Sequence, residues 1–283
     1  MKPPTYAKQL QVAYIQNIRK YKSCPAAFAM IALTYRCQCK CVHCGVASYK
    51  QARKNELRYG EVIRLIDEFK RMKVVWIHFF GGEPLIVPQL ADYIKYAKHN
   101  GLKTRLDTNG LLLDEGMARR LKGAGIDLIC VSIDSPLPAS HDKLRGIDGI
   151  FNKAMAGIRY CKQYGIECQI LTYATKENLK NSELTKMIEL AMDLNVTLGI
   201  ASPKLVGRWL DRKELALSEE EIILLRSLLK ANKVYWENDV IDSKEIPFFC
   251  SAMNRCLFYI SAYGEIQPCC YLPVSFGNID LFT

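Results

Sequence analysis

Twelve cysteines stand in a chain of 283 residues, and eight of them fall into two groups. Cys37, Cys39, Cys41 and Cys44 share one short segment, and Cys250, Cys256, Cys269 and Cys270 share another near the end. In a reducing compartment clustered cysteines more often bind metal than form disulfides. Zinc usually takes four ligands drawn from two pairs well separated in sequence. Three thiolates at x3 and x2 spacing on one loop, Cys37, Cys41 and Cys44, can instead wrap one face of an iron–sulfur cube. The fourth iron then has no protein ligand and is open to a small molecule. Cys24, Cys130, Cys161 and Cys168 stand apart and read as small buried hydrophobes.

Chemistry at those residues needs elements to position it, and the apolar pattern supplies them. Phe28–Thr34 reads as a strand that ends at the first cysteine group. From Tyr59 to Lys73, residues Val62, Leu65, Ile66, Phe69 and Met72 fall on one helical face. Val74–Phe80 is a strand closed by Gly81-Gly82. Leu90–His99 is a helix stopped by Gly101, Lys103–Asp107 a strand, and Asp114–Lys122 a helix. Asp127–Ile133 (strand), Ile150–Tyr164 (helix), Glu167–Tyr173 (strand), Ser182–Leu194 (helix) and Val196–Ile200 (strand) continue the rhythm.

Six strands separated by helices predict parallel β/α units, either as an open doubly wound sheet or as a barrel. Cys37, Gly82, Asn109, Asp134 and Thr172 all lie at or just beyond C-terminal strand ends. Barrel active sites gather there, which favours the barrel. Beyond Gly207 the rhythm changes to a charged helix, Ser218–Lys230, and a polar stretch, Glu237–Lys244. A hairpin follows, with strands Leu257–Ser261 and Glu265–Pro268 turning at Tyr263-Gly264.

Composition is ordinary for a globular protein, with 49% apolar and 24% charged residues. The opening MKPPTYAKQL has no apolar signal region, and Pro25–Leu33 is too short to span a bilayer. A cytoplasmic protein without membrane contact is expected. The net charge of +10 would suit a nucleic acid or an acidic substrate. Lys and Arg are spread along the chain with no dense basic run among aromatics, so a solvated basic surface is expected instead.

The segment Thr34-Tyr-Arg-Cys37-Gln-Cys-Lys-Cys41-Val-His-Cys44 resembles the C-x3-C-x2-C signature of the radical S-adenosylmethionine (SAM) superfamily. His43 fills the usual aromatic place, and Cys39 is outside the pattern. Phe80-Gly81-Gly82-Glu83-Pro84 resembles the family's GGEP motif, Thr108-Asn109-Gly110 its TNG strand end, and Val131-Ser132-Ile133-Asp134 with His141 and Arg145-Gly146 its "VSID … H … RG" segment. The resemblance covers about Phe28 to Ser202 and implies an incomplete six-unit β/α barrel. It implies a 4Fe–4S cluster on Cys37, Cys41 and Cys44, with SAM at the open iron. Gly81, Gly82 and Glu83 would meet the methionyl ammonium; Asn109, Ser132 and Asp134 would contribute polar contacts, and Arg145 would fork the carboxylate. It further implies that an electron from the cluster splits SAM into methionine and a 5′-deoxyadenosyl radical, which takes a hydrogen atom from a substrate.

Cys250, Cys256, Gly264, Cys269 and Phe276-Gly-Asn-Ile279 resemble the opening of a SPASM or shorter twitch domain, which implies Cys250 and Cys269 as ligands of an auxiliary iron–sulfur cluster. The full SPASM pattern has further cysteines after Gly-Asn-Ile, where this sequence stops at Thr283, so the region is expected to be reduced or cut short. The expected organisation is an N-terminal extension (1–27), a core (28–215), and a linker helix with a cysteine-rich hairpin (216–283). The resemblance implies a low-potential donor such as flavodoxin or ferredoxin and, first, a peptide or protein substrate. Alternatives are a tetrapyrrole or other small molecule, or a non-catalytic iron–sulfur or zinc protein.

Overall fold

Strand order decides between the two architectures that the alternation allows. The computed structural model of the chain describes residues 27–49, 55–232, 235–236, 252 and 257–282. Strands β1 (Phe28–Thr34), β2 (Trp76–Gly81), β3 (Lys103–Thr108), β4 (Leu128–Ser132), β5 (Glu167–Tyr173), β6 (Thr197–Ala201) and β7 (Tyr235–Trp236) each pair in parallel with the next in sequence. A doubly wound sheet reverses its direction of growth at one point; this one does not. Right-handed crossovers that all advance the same way lay their helices on one face, and a twisted sheet covered on one face curls toward a barrel.

The described helices are α1 (Tyr59–Arg71), α2 (Leu90–His99), α3 (Glu115–Ala124), α4 (Pro138–Arg145), α5 (Ile150–Gln163), α6 (Lys176–Lys180), α7 (Glu183–Asp193) and α8 (Glu219–Asn232), and all but α4 contribute to the core on that face. Val62, Leu65, Ile66 and Phe69 of α1 are buried as the pattern predicts, while Met72 sits at its cap and is exposed. Gly125, at φ +86°, ends α3 in the left-handed region that glycine adopts without strain. The helix-side core joins these faces to alternate strand residues: Ala29, Ile31 and Leu33 of β1, Ile77 and Phe79 of β2, Ile129 and Val131 of β4.

Two features go beyond the sequence pattern. Pro138–Arg145 is a helix in its own right, started by its proline. The C-terminal hairpin is hydrogen-bonded into the same sheet: β8 (Leu257–Ile260) runs parallel to the free edge of β1, pairing Phe28 with Leu257 and Ile31 with Ile260. β9 (Ile266–Gln267) then pairs antiparallel with β8. Periodicity gives no register between strands so far apart in sequence. Cys24, Cys250, Cys256 and the stretch 237–244 lie outside the described residues. Among the described residues no helix is long and apolar enough to cross a membrane.

β1 and β2 end in close backbone contact. Gly82 N–H donates to Thr34 O at 2.7 Å and Glu83 N–H to Arg36 O at 2.9 Å. A Cβ on Gly82 would stand 2.2 Å from Arg36 O, closer than any atom can come. Gly82→Ala is therefore expected to cost about 1–3 kcal/mol or more of stability in chemical denaturation. Gly60→Ala, with open space around it in α1, is expected to be neutral or stabilising by about 0.5–1 kcal/mol.

Candidate functional site

The cysteine loop leaves β1 at the C-terminal mouth of the sheet and is held from two sides by backbone groups. Lys40 N–H donates to Arg145 O (2.9 Å) and Val42 N–H to Leu144 O (3.0 Å), which docks the loop on the end of α4. On the other side Arg208 Nη1 donates to Lys40 O (2.6 Å) and Cys41 O (3.0 Å), and Arg208 N–H to Cys44 O (3.1 Å). That approach requires Gly207, at φ +57°, where a Cβ would stand 2.2 Å from Cys44 O.

Donors face two of the three expected ligand sulfurs. Asn109 Nδ2 lies 3.7 Å from Cys37 Sγ, and Arg145 Nη1 lies 3.7 Å from Cys41 Sγ. The Cys41 thiol is held well below its ordinary range: Cys39 donates to it, and Arg145 and His43 outweigh the cost of its burial. Cys39, outside the spacing pattern, is buried between Cys37 and Cys41 and hydrogen-bonds to both. Among the described residues no three Cys, His, Asp or Glu side chains converge as a single ion requires. A cube binds each cysteine to a different iron and needs no such convergence. Three thiols on one loop, Cys41 among them favoured as a thiolate, with an amide behind Cys37 and a cation behind Cys41, form a donor set that fits an iron–sulfur cluster.

Glu83 is fully buried, and its carboxylate ties β2 to β3: it accepts from Thr108 Oγ1 (2.7 Å), Asn109 N–H (2.8 Å) and Leu85 N–H (3.1 Å). The sequence suggests a ligand-facing acceptor; the structure gives Glu83 the work of setting Asn109. Burial raises its pKa to about 7 despite these donors. The Gly81-Gly82 approach is likewise to the chain's own Thr34–Arg36 backbone.

Arg145 is spoken for in the same way. Its Nη2 donates to Asp134 Oδ1 (2.8 Å), and its Nε stands 2.6 Å from Oδ2, close but off-axis as a hydrogen bond. The carboxylate it forks is Asp134's. Burial pushes Asp134 up, but Arg145 and His43 more than offset it and hold the carboxyl below its usual range. His43 Nε2 lies 3.6 Å from Asp134 Oδ2, and its ring packs against both Tyr173 and Trp209, which also meet each other. His141 Nδ1 accepts from Asp134 N–H at 3.1 Å. Ser132 closes β4 half-buried on the inner face. Gly81, Gly82, Glu83, Asn109, Asp134 and Arg145 thus surround the loop bearing Cys37, Cys41 and Cys44. Cys269 lies half-buried on the C-terminal hairpin, and Cys250 is outside the described residues.

Sequence reasoning missed the far wall of this site. Tyr35, two residues before Cys37, stacks on Tyr49 (4.8 Å between centroids) and shares a buried 2.6 Å hydroxyl contact with Tyr259 of β8. Tyr263 meets Tyr35 edge-on and donates its hydroxyl to Tyr49 O. Both ends of the cysteine loop therefore lean on the C-terminal hairpin. The only signal was a surplus of tyrosines. Arg208 left none, since it acts through a backbone approach.

A family model described as the Radical SAM superfamily matches residues 31–191. An AdoMet-dependent heme synthase of Methanosarcina barkeri is 31% identical over 272 residues, covering 87% of this chain and 77% of that protein. A PqqA peptide cyclase of Granulibacter bethesdensis is 29% identical over 255 residues, covering 87% and 68%. Among solved structures, Streptococcus suis SuiB bound to S-adenosylmethionine superposes with a TM-score of 0.70 at 15% identity, over 90% of this chain. This chain spans 63% of SuiB, and the likeness speaks to the fold alone.

The buried carboxyl of Glu83 makes a testable contribution to stability. Its pKa is raised from 4.5 unfolded to about 7 folded, so its stabilising part is present below pH 4.5 and lost as pH rises through 7. Thermal unfolding of the apoprotein should show this decline, worth up to about 3 kcal/mol. Glu83→Gln should remove it while lowering stability at low pH by about 1–3 kcal/mol, because its amide meets donors.

Proposed function

The chain belongs to the radical SAM superfamily and is an enzyme that takes a 4Fe–4S cluster and S-adenosylmethionine; from that premise we propose that Cys37, Cys41 and Cys44 hold the cluster and that the substrate is a carboxylated tetrapyrrole. Together, cluster and SAM supply a 5′-deoxyadenosyl radical that abstracts a hydrogen atom from the substrate. In this reading Asn109 and Arg145 donate toward the sulfurs of Cys37 and Cys41 and so favour the charge the cluster carries. Gly82 and Ser132 line the mouth where SAM lies, while Glu83 and Asp134 act behind Asn109 and Arg145, fixing their direction. Arg208 and the tyrosines of the hairpin keep the loop closed against water.

The observation that carries the tetrapyrrole is the match to the heme synthase, which extends over most of both chains. The peptide cyclase match supports a second reading, a peptide substrate, with slightly lower identity and coverage. The proposal also includes a cytoplasmic setting, a flavodoxin- or ferredoxin-type electron donor, and an auxiliary cluster using Cys250 and Cys269.

Anaerobically reconstituted full chain should form 5′-deoxyadenosine from SAM under strong reductant, and Cys41→Ala should abolish it. Iron coproporphyrin III should raise that yield and change mass in the same reaction, with a PqqA precursor peptide giving neither. The opposite pattern would move the assignment to peptides. Iron near eight rather than about four per chain would support the auxiliary cluster.

A further inference from the structure

The sheet face turned away from the helices carries polar and ionisable side chains that the cofactor site does not use. His78 on β2, Arg105 and Asp107 on β3, Cys130 on β4 and Gln169 on β5 alternate with residues of the helix-side core and so share the inner face. Asp107 accepts from Arg105 Nε (2.9 Å) and Nη2 (3.3 Å), and His78 Nε2 lies 2.8 Å from its Oδ2. His78 is only 4% exposed, and Cys130 Sγ lies 3.5 Å from Gln169 Oε1.

Barrel interiors are ordinarily filled with branched aliphatic side chains. A buried ion network returns little stability for the desolvation it demands, and titratable groups perturbed inside a fold mark functional sites. The position is also telling. Asp107, on whose carboxylate the trio converges, precedes by two residues the Asn109 that touches Cys37 and so starts about 7 Å beneath the mouth. Arg105 and the His78 paired beside it start a further two residues down and reach up to it.

Charge indicates what would bind there. Burial lowers the His78 pKa and leaves the imidazole neutral; Asp107, though burial opposes it, is kept ionised by Arg105 and His78. The trio is therefore neutral as it stands. Cys130 is held protonated by burial, Lys103 sits over the Trp76 ring, and Glu167 acts on Cys130 from the start of β5. An ionised Asp107 keeps a proton on His78 Nε2, so one more proton from solvent goes to Nδ1 and gives the trio a net charge of +1. That matches a single carboxylate.

We propose that His78, Arg105 and Asp107 form a carboxylate-binding subsite for the substrate inside the barrel, with His78 taking up one proton as the carboxylate binds. The subsite deepens the tetrapyrrole reading, whose propionates are such groups, and rests on that reading only for the identity of the substrate. Asp107 is a positioning residue; His78 and Arg105 meet the ligand.

The test uses the reconstituted full chain and two probes. Metal-free coproporphyrin III, titrated by absorbance, should bind up to about tenfold tighter per pH unit from pH 8 to 6, the limit for one proton taken up. His78→Gln, which keeps an N–H group beside Asp107 but takes no proton, should flatten that dependence. Arg105→Gln should weaken binding at least about tenfold. Propionate alone should shift the imidazole resonance that His78→Gln removes in histidine-labelled protein. Thermal midpoints of the variants report whether they fold. A His78→Gln variant with wild-type pH dependence, or no response of His78 to propionate, overturns the subsite. Failure of the porphyrin with a clear propionate response overturns the tetrapyrrole and leaves the subsite standing.

Discussion

The meeting of two strand ends governs the rest of the molecule. β1 and β2 finish so close that the backbone of Gly81 and Gly82 lies against Thr34, Tyr35 and Arg36 with no room for a side chain. Tyr35 and Arg36 are the last residues before Cys37, so this contact fixes where the cysteine loop begins. Glu83 follows at once and passes the constraint to β3 through Thr108 and Asn109. Three strand ends and the first cysteine are thus one hydrogen-bonded unit.

A second unit sets the loop's far half. Asp134 holds Arg145 by its carboxylate, Arg145 reaches Cys41, and the carbonyls of Leu144 and Arg145 hold Val42 and Lys40. The side chains that carry these contacts, Asp134, Arg145 and Cys41, are all buried. Burial makes each interaction strong and each missing partner costly, so the unit persists as a whole or not at all.

Much of the fold was legible in the sequence because strand and helix periods are local. Leu90–His99 and Glu167–Tyr173 fall where the pattern predicts. The motif residues Gly82, Glu83, Asn109, Asp134 and Arg145 do converge on the cysteine loop. What each one touches was not legible: Glu83 and Arg145 carry charges suited to a ligand, yet the structure matches them to Asn109 and Asp134. Their partners lie on other strands, and spacing holds no record of cross-strand distance. Arg208 and the Tyr35–Tyr259 contact were invisible for the same reason, as was the ionic trio on the inner face, whose members are divided between two strands and meet only through their register.

The parallel pairing of β8 with β1 has a consequence for how the protein comes to exist. The outer edge of β1 offers unpaired backbone groups until Leu257–Ile260 has left the ribosome, long after the cysteines that β1 leads into. Contacts between such distant segments form slowly, and an uncovered edge of Ala, Met and Ile invites pairing with another chain. Biogenesis thus leaves an interval in which the thiols of the cysteine loop have been made but lack their tyrosine wall. Cluster delivery that waits for the completed polypeptide would find the thiols in a finished pocket; earlier delivery would find them on a frayed edge.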